Sequence, residues 1–211
     1  MYILTQDLYF PPLTQAYDDG LLALGGDLSV ARLLLAYRSG IFPWYNDGEA
    51  IQWYSPNPRF VLHVPELKVH KSMKTMLRNP AYTSTINRAF EQVIHNCAHT
   101  SRALQHGTWI TSAMKQAYTQ LHHTGHAISA EAWYHGELVG GLYGVLVGKV
   151  FCGESMYCTM ANASKLAFIH MVAHLQSIGV MLIDCQVHTT HLESLGARYI
   201  TRDAFIKYLQ L

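Results

Sequence analysis

The chain has 211 residues, half of them hydrophobic and 14% charged, a balance that excludes a disordered chain and suits one core or one core plus a smaller lobe. Its formal net charge of +1 excludes a generally polybasic nucleic-acid binder but leaves room for a local basic patch. No run of about 18 apolar residues is present, so no membrane-spanning helix is expected.

Residues 1–60 carry five of the seven prolines and five glycines, and read as a small, turn-rich N-terminal lobe. One helix is expected there over 31–37, capped by Asp27 or Ser29 and closed by Gly40. The aromatic residues Phe42, Trp44, Tyr45, Trp53 and Tyr54 fit an interface with the rest of the chain better than a ligand platform. From residue 61 to 211 helix and strand patterns alternate. Helices are expected over 71–77, 86–98 and 111–124, then strands over 127–134, 138–147 and 149–156, with turns at His135-Gly136 and Gly148. A helix over 164–178 bears an apolar stripe of Phe168, Met171, Val172, Leu175 and Ile178. A buried strand over 180–187, a helical turn and a strand–helix region to 209 complete the chain. The fold class is mixed α/β, and this order of elements resembles the GNAT-type acyltransferase domain.

The strand over 180–187 holds an Asp and a Gln in an otherwise apolar run. Alternation places Asp184 and Gln186 on one face and Cys185 on the other. A carboxylate taken out of water costs several kcal/mol unless it is paired, so the two are either a satisfied structural network or part of a site. A second carboxylate, Glu154, follows Gly153 near the end of the preceding strand. Asn162 and Ser164 open the next helix, where either can cap free amides and where the helix N-terminus can meet an anion or oxyanion. The Arg/Gln-x-x-Gly-x-Gly/Ala loop that grips CoA in GNAT enzymes is absent. The nearest string, Gln176-Ser-Ile-Gly-Val-Met181, ends a helix and has Met where a small residue is needed, so CoA is not expected.

The cysteines Cys97, Cys152, Cys158 and Cys185 show no CxxC spacing and are expected to be reduced and buried. The first seven residues lack the pattern of a signal peptide, and a cytoplasmic location is expected. Thirteen histidines include the pairs His170/His174 and His188/His191, but there is no HExxH motif and no carboxylate beside the helical pair, so no metal site is expected.

Several strings together resemble the leucyl/phenylalanyl-tRNA–protein transferases. In the first part of the chain they are Gly20-Leu-Leu-Ala-Leu-Gly-Gly-Asp-Leu28, Ala36-Tyr-Arg-Ser-Gly-Ile-Phe-Pro-Trp44 and Trp53-Tyr-Ser-Pro-Asn-Pro-Arg59. Further on they are Gly107-Thr-Trp-Ile110, Leu138-Val-Gly-Gly-Leu-Tyr-Gly144, Phe151-Cys-Gly-Glu-Ser-Met156, Asn162-Ala-Ser-Lys165 and Ile183-Asp-Cys-Gln186. The resemblance implies transfer of Leu or Phe, and Met less well, from aminoacyl-tRNA to the α-amino group of proteins beginning with Arg or Lys. The product would be an N-degron for bacterial proteolysis. Aminolysis of an activated ester implies no cofactor, and the enzyme is expected to act as a monomer.

Within that reading, Asp184 can orient Gln186 or take the amine proton, Gln186 can hold the attacking nitrogen or the oxyanion, and Glu154 can anchor an ammonium or a basic side chain. A path through the terminal ribose hydroxyl is equally open. Phe151, Met156, Phe168 and Ile183 are candidates for an adaptable side-chain pocket, with Leu175 favoured as core. The resemblance places Trp44 and Trp109 near the terminal adenosine. Lys71, Lys74 and Arg78 share one helix face, which the resemblance makes a contact to the tRNA backbone.

Overall fold

The computed structural model describes residues 1–100 and 110–211. The chain opens with strands β1 (Tyr2–Leu4) and β2 (Leu21–Gly25), helix α1 (Val30–Arg38), and strands β3 (Phe42–Pro43) and β4 (Gln52–Tyr54). Helix α1 starts where Ser29 Oγ accepts the Arg32 N–H at 3.3 Å, satisfying one of the amides that a first turn leaves unpaired. The four strands form a small sheet in the order β1-β2-β4-β3.

Strand β5 (Arg59–His63) belongs to a second, larger sheet. It is followed by α2 (Lys71–Leu77), β6 (Tyr82–Ile86), α3 (Phe90–His99) and α4 (Ser112–His123). Next come β7 (Ala127–Tyr134), β8 (Glu137–Val147), β9 (Val150–Cys158) and α5 (Ala163–Ser177). The chain finishes with β10 (Leu182–Gln186), α6 (Thr190–Ser194), β11 (Arg198–Ile200) and α7 (Arg202–Leu209). The large sheet runs β11-β5-β10-β9-β8-β7-β6. Within it, β9 and β10 run parallel, because α5 carries the chain back between them, and the other neighbours are antiparallel.

Each face of this sheet has its own core. Val61, Val145, Val150, Cys152 and Leu182 pack toward α1, α3, α4 and α7, with Leu33, Tyr37, Val93, Tyr118 and Phe205 among their partners. Phe60, Leu62, Phe151 and Ile183 face α5, which buries Leu166, Phe168, Met171, Val172 and Leu175 against them. Burial on both faces explains why the inner strands are almost continuously apolar.

Several expectations need correction. The buried strand is shorter than 180–187, because Met181 and Val187 are 45% and 48% exposed at its ends. Ile178 also leaves the apolar stripe of α5 and is exposed. A strand, β6, occupies 82–86, and the helix expected from residue 86 begins at Phe90. The cause is tertiary: β6 pairs with β7, and the buried Glu131 of β7 holds the junction. Its carboxylate accepts from Thr85 and Ser129 hydroxyls at 2.5 Å and from the backbone N–H groups of Arg88 and Ala89 at 3.3 and 3.4 Å. Of the four free cysteines, Cys97 and Cys152 are buried, Cys185 is partly so, and Cys158 is exposed because it closes β9.

Candidate active site

Two irregularities create the site. On β9, Tyr143 pairs with Ser155 and Gly144 with Gly153, so Glu154 is the extra residue of a bulge without a partner on β8. A Cβ at Gly144 would collide with the Cys152 carbonyl and the Phe151 ring, so the close approach opposite this bulge requires glycine. On β10, Asp184 pairs with Val61 and Gln186 with Phe60, which leaves Cys185 as the extra residue. Gln186 takes a left-handed backbone, φ 61°. The parallel ladder between β9 and β10 ends at Cys152 and Asp184, so Glu154 and Gln186 stand just beyond the last paired residues. The alternation expected across Asp184-Cys185-Gln186 is therefore interrupted, and the bulge sets where Gln186 points.

Gln186 Nε2 donates to Glu154 Oε1 at 3.0 Å. The same oxygen accepts from the Tyr37 hydroxyl of α1 at 2.7 Å, while Glu154 Oε2 accepts from the Tyr118 hydroxyl of α4 at 3.0 Å. The two tyrosine hydroxyls also contact one another. Glu154 is partly buried, and loss of solvent pushes its carboxyl from the ordinary 4.5 up to about 7. The three donors act against that shift, and the nearby Asp184 charge adds to it. Burial likewise holds both tyrosines well above their usual range, so they stay protonated donors.

Asp184 is differently placed. It is 0% exposed, and its two oxygens accept from Arg59 Nε and Nη2 at 2.8 and 2.7 Å in a bidentate pair. Its Oδ1 also accepts the backbone N–H of Gln186 at 2.9 Å. Asp184 therefore orients Gln186 through the main chain, and the expectation that it can take an amine proton directly does not fit a carboxylate so fully engaged. Arg59 lies between the rings of Phe42 and Phe205, 4.7 Å from each centroid, and donates to the Gly40 carbonyl at 3.2 Å.

A cavity of about 460 Å³ opens beside this cluster. Phe151, Met156, Phe168 and Ile183 all line it, together with Glu154, Asp184, Gln186 and Cys185. Leu175 lies in the core. Asn162 and Ser164 do not line the cavity. Asn162 takes a left-handed backbone and its side chain makes no capping bond, which corrects the expected cap. Trp44 is 41% exposed beside Tyr54, with ring centroids 5.7 Å apart, and is not among the residues that line the cavity. Trp109 lies outside the described residues. Lys71 and Lys74 on α2 and Arg78 at its end are exposed opposite the buried Met73, and none has an acidic partner among the described residues.

A larger cleft of about 770 Å³ lies between α3 and α4 and contains none of the candidate site residues. Among the described residues, no group of three or more His, Cys, Asp and Glu side chains could hold a metal, and no helix is long and apolar enough to cross a membrane. Tyr37, Tyr118 and Arg59 were not singled out as site residues by sequence. The signal they offered was a polar tip or charge on an otherwise apolar helix face or strand, which must find a partner once buried.

Sheet order and the parting of its one parallel pair define a mixed α/β protein with a cavity between the separating strands. The family model described as leucyl/phenylalanyl-tRNA protein transferase matches residues 61–210, and the model of that family's N-terminal domain matches 26–57. A leucyl/phenylalanyl-tRNA–protein transferase from Flavobacterium johnsoniae is 50% identical over 100% of this chain and 99% of its own length. One from Chromobacterium violaceum is 55% identical over 95% of this chain and 87% of its own. Among solved structures, L-PGS from Bacillus licheniformis is 10% identical with a TM-score of 0.45, covering 89% of this chain and 63% of that one. A GCN5-related N-acetyltransferase from Kribbella flavida is 9% identical with a TM-score of 0.42, covering 79% and 59%. The chain belongs to the leucyl/phenylalanyl-tRNA protein transferase family, a family of aminoacyltransferases.

Proposed function

We propose that this enzyme transfers Leu or Phe, and Met less well, from aminoacyl-tRNA to the α-amino group of proteins that begin with Arg or Lys, generating an N-degron for bacterial proteolysis. The observation that carries this reading is an apolar cavity with a carboxyl–amide pair, Glu154 and Gln186, at its wall. The amino-acid side chain enters among Phe151, Met156, Phe168 and Ile183, whose flexible and aromatic surfaces tolerate both a branched and an aromatic guest.

The acceptor nitrogen attacks the ester carbonyl, the C–N bond forms, and the bond to the ribose oxygen breaks. One proton leaves nitrogen and one arrives at the ribose oxygen, so a group near neutrality serves both transfers. Glu154 has that character, whereas Asp184 is consumed by Arg59. Gln186 holds the reacting nitrogen or the oxyanion with its amide. Trp44 stacks on the terminal adenosine, and Lys71, Lys74 and Arg78 meet the tRNA backbone. Ester aminolysis uses energy already stored in the aminoacyl bond, so no cofactor is invoked. The enzyme acts as a cytoplasmic monomer.

The test is a transfer assay with purified protein, Leu- or Phe-charged tRNA and peptides differing only at the N-terminus. Label on Arg- and Lys-peptides but not on an Asp-peptide is expected. Normal tRNA binding without labelling of any peptide would mean a binder of acceptor ends instead.

A further inference from the structure

We propose that Tyr37 and Tyr118 are positioning residues for aminoacyl transfer: with Glu154 they close a ring of three oxygen contacts that seats one exchangeable proton beside the cavity. This rests on the transfer reading above and assigns the control of its proton.

The ring has three edges: Tyr37 to Glu154 Oε1 at 2.7 Å, Tyr118 to Glu154 Oε2 at 3.0 Å, and one hydroxyl to the other. Two hydroxyl protons fill two edges. The third is filled only when the carboxyl carries a proton of its own. When Glu154 is ionised, both hydroxyls turn to its oxygens. When it is neutral, its proton closes the ring. Either state is reached by rotating hydroxyls, with every heavy atom in place, and that is the preorganisation a proton-transfer group needs.

The surroundings isolate this proton. Tyr37 arrives from α1 and Tyr118 from α4, while Tyr143 of β8 faces Tyr118. Cys152 on β9 is a buried thiol held protonated by its surroundings. On β10, Gln186 donates an amide proton to Oε1, and Asp184 adds a like charge that opposes ionisation. Arg59 on β5, the nearby cation, is committed to Asp184. Glu154 has no ion pair among the described residues, so its charge depends on the two hydroxyls and the amide.

In the transfer step the amine adds to the ester carbonyl to give a tetrahedral intermediate with a positive nitrogen and a negative oxygen. The Glu154 carboxyl gives its proton to the ribose oxygen as the C–O bond breaks and the carbonyl re-forms. The resulting carboxylate, held by both hydroxyls, takes the surplus proton from nitrogen and returns to its starting state. Protons and charges balance over the cycle.

The experiment measures kcat/KM for transfer against pH in the wild type, Tyr37→Phe and Tyr118→Phe, with melting temperature and tRNA affinity as controls. The wild-type profile is expected to break near pH 7, where Glu154 titrates. Each Phe variant removes a hydrogen bond to the carboxylate and should raise that break by about one pH unit, while leaving tRNA affinity unchanged. An unchanged or lowered break would overturn the proposal. Should the Phe variants fail to fold, difference infrared spectra of wild type against Glu154→Gln decide it. A neutral-carboxyl carbonyl band that titrates near pH 7 is expected, and absence of any such band would overturn the ring. A wild type that transfers nothing from charged tRNA would instead sink the underlying functional reading.

Discussion

Gln186 donates its side-chain amide to Glu154 across 3.0 Å, although 32 residues separate the two in sequence. The contact exists because α5 returns the chain so that β10 lies parallel to β9, and because a bulge on each strand turns these two residues toward one another. Both residues sit where the ladder has ended, so their polar groups face a cavity instead of a neighbouring strand.

Replacing Glu154 by Gln keeps the size and the hydrogen-bonding capacity of the neutral acid but cannot exchange a proton. Transfer should fall by about 10²–10⁴-fold in kcat. Stability should move the other way at high pH. The folded carboxyl titrates at about 7 against an ordinary 4.5, so the folded state keeps a proton that the unfolded chain has already lost within that window. Stability from this group is complete below pH 4.5 and is lost as pH rises through 7, by an amount on the order of 3 kcal/mol. The Gln variant escapes that loss. Thermal melts at pH 5 and pH 8 should show a variant advantage that appears only at pH 8.

The Arg59–Asp184 pair gives a prediction about folding. Both side chains are buried, and Arg59→Met strands a carboxylate inside the protein at a cost of about 3–5 kcal/mol. Adding Asp184→Asn removes the stranded charge and should recover much of the loss. Urea unfolding of the two single variants and the double variant measures this. Strictly additive losses would show that the pair is not energetically coupled.

How far the sequence discloses this site depends on how local each feature is. The apolar run of β10, its embedded Asp184 and Gln186, and the cavity residues Phe151, Met156, Phe168 and Ile183 are readable because strand and helix periodicity lies within a few residues. Arg59 and Asp184 are 125 residues apart, and Tyr37 and Glu154 are 117, so no spacing rule joins them. The bulges are equally hidden, since the extra residues Glu154 and Cys185 look like any other strand positions until a partner strand is present to skip them. Strand β6 fails for a related reason. Its segment, Tyr82–Ile86, is stabilised by pairing with β7 and by Glu131 some 45 residues further on, more than by its own propensity.

Cavity shape should set which amino acid is transferred. Phe168 of α5 and Met156 of β9 both line the cavity. Phe168→Leu shortens one wall while keeping it apolar, which should favour the larger guest. The ratio of kcat/KM for Phe-tRNA over Leu-tRNA is expected to rise about tenfold, within the roughly 1–3 kcal/mol that one methylene is worth in such a pocket. An unchanged ratio would assign Phe168 to the core alone.

Lys71 and Lys74 project from α2 into solvent while Met73 anchors the helix from its other side. Neither lysine is tied to an acid among the described residues, and the nearby Glu66 is occupied by Arg198, which donates from Nη2 to Glu66 Oε1 at 3.0 Å. Both lysines are thus available to phosphates. Because a lysine that neutralises a phosphate releases a counterion, Lys71→Ala with Lys74→Ala should weaken tRNA binding uniformly across tRNA sequences. The slope of log affinity against log salt should fall by about two. Filter binding from low to moderate salt reads both quantities. A double variant that loses affinity with the parental slope intact would mean that the helix is perturbed and that tRNA phosphates lie elsewhere.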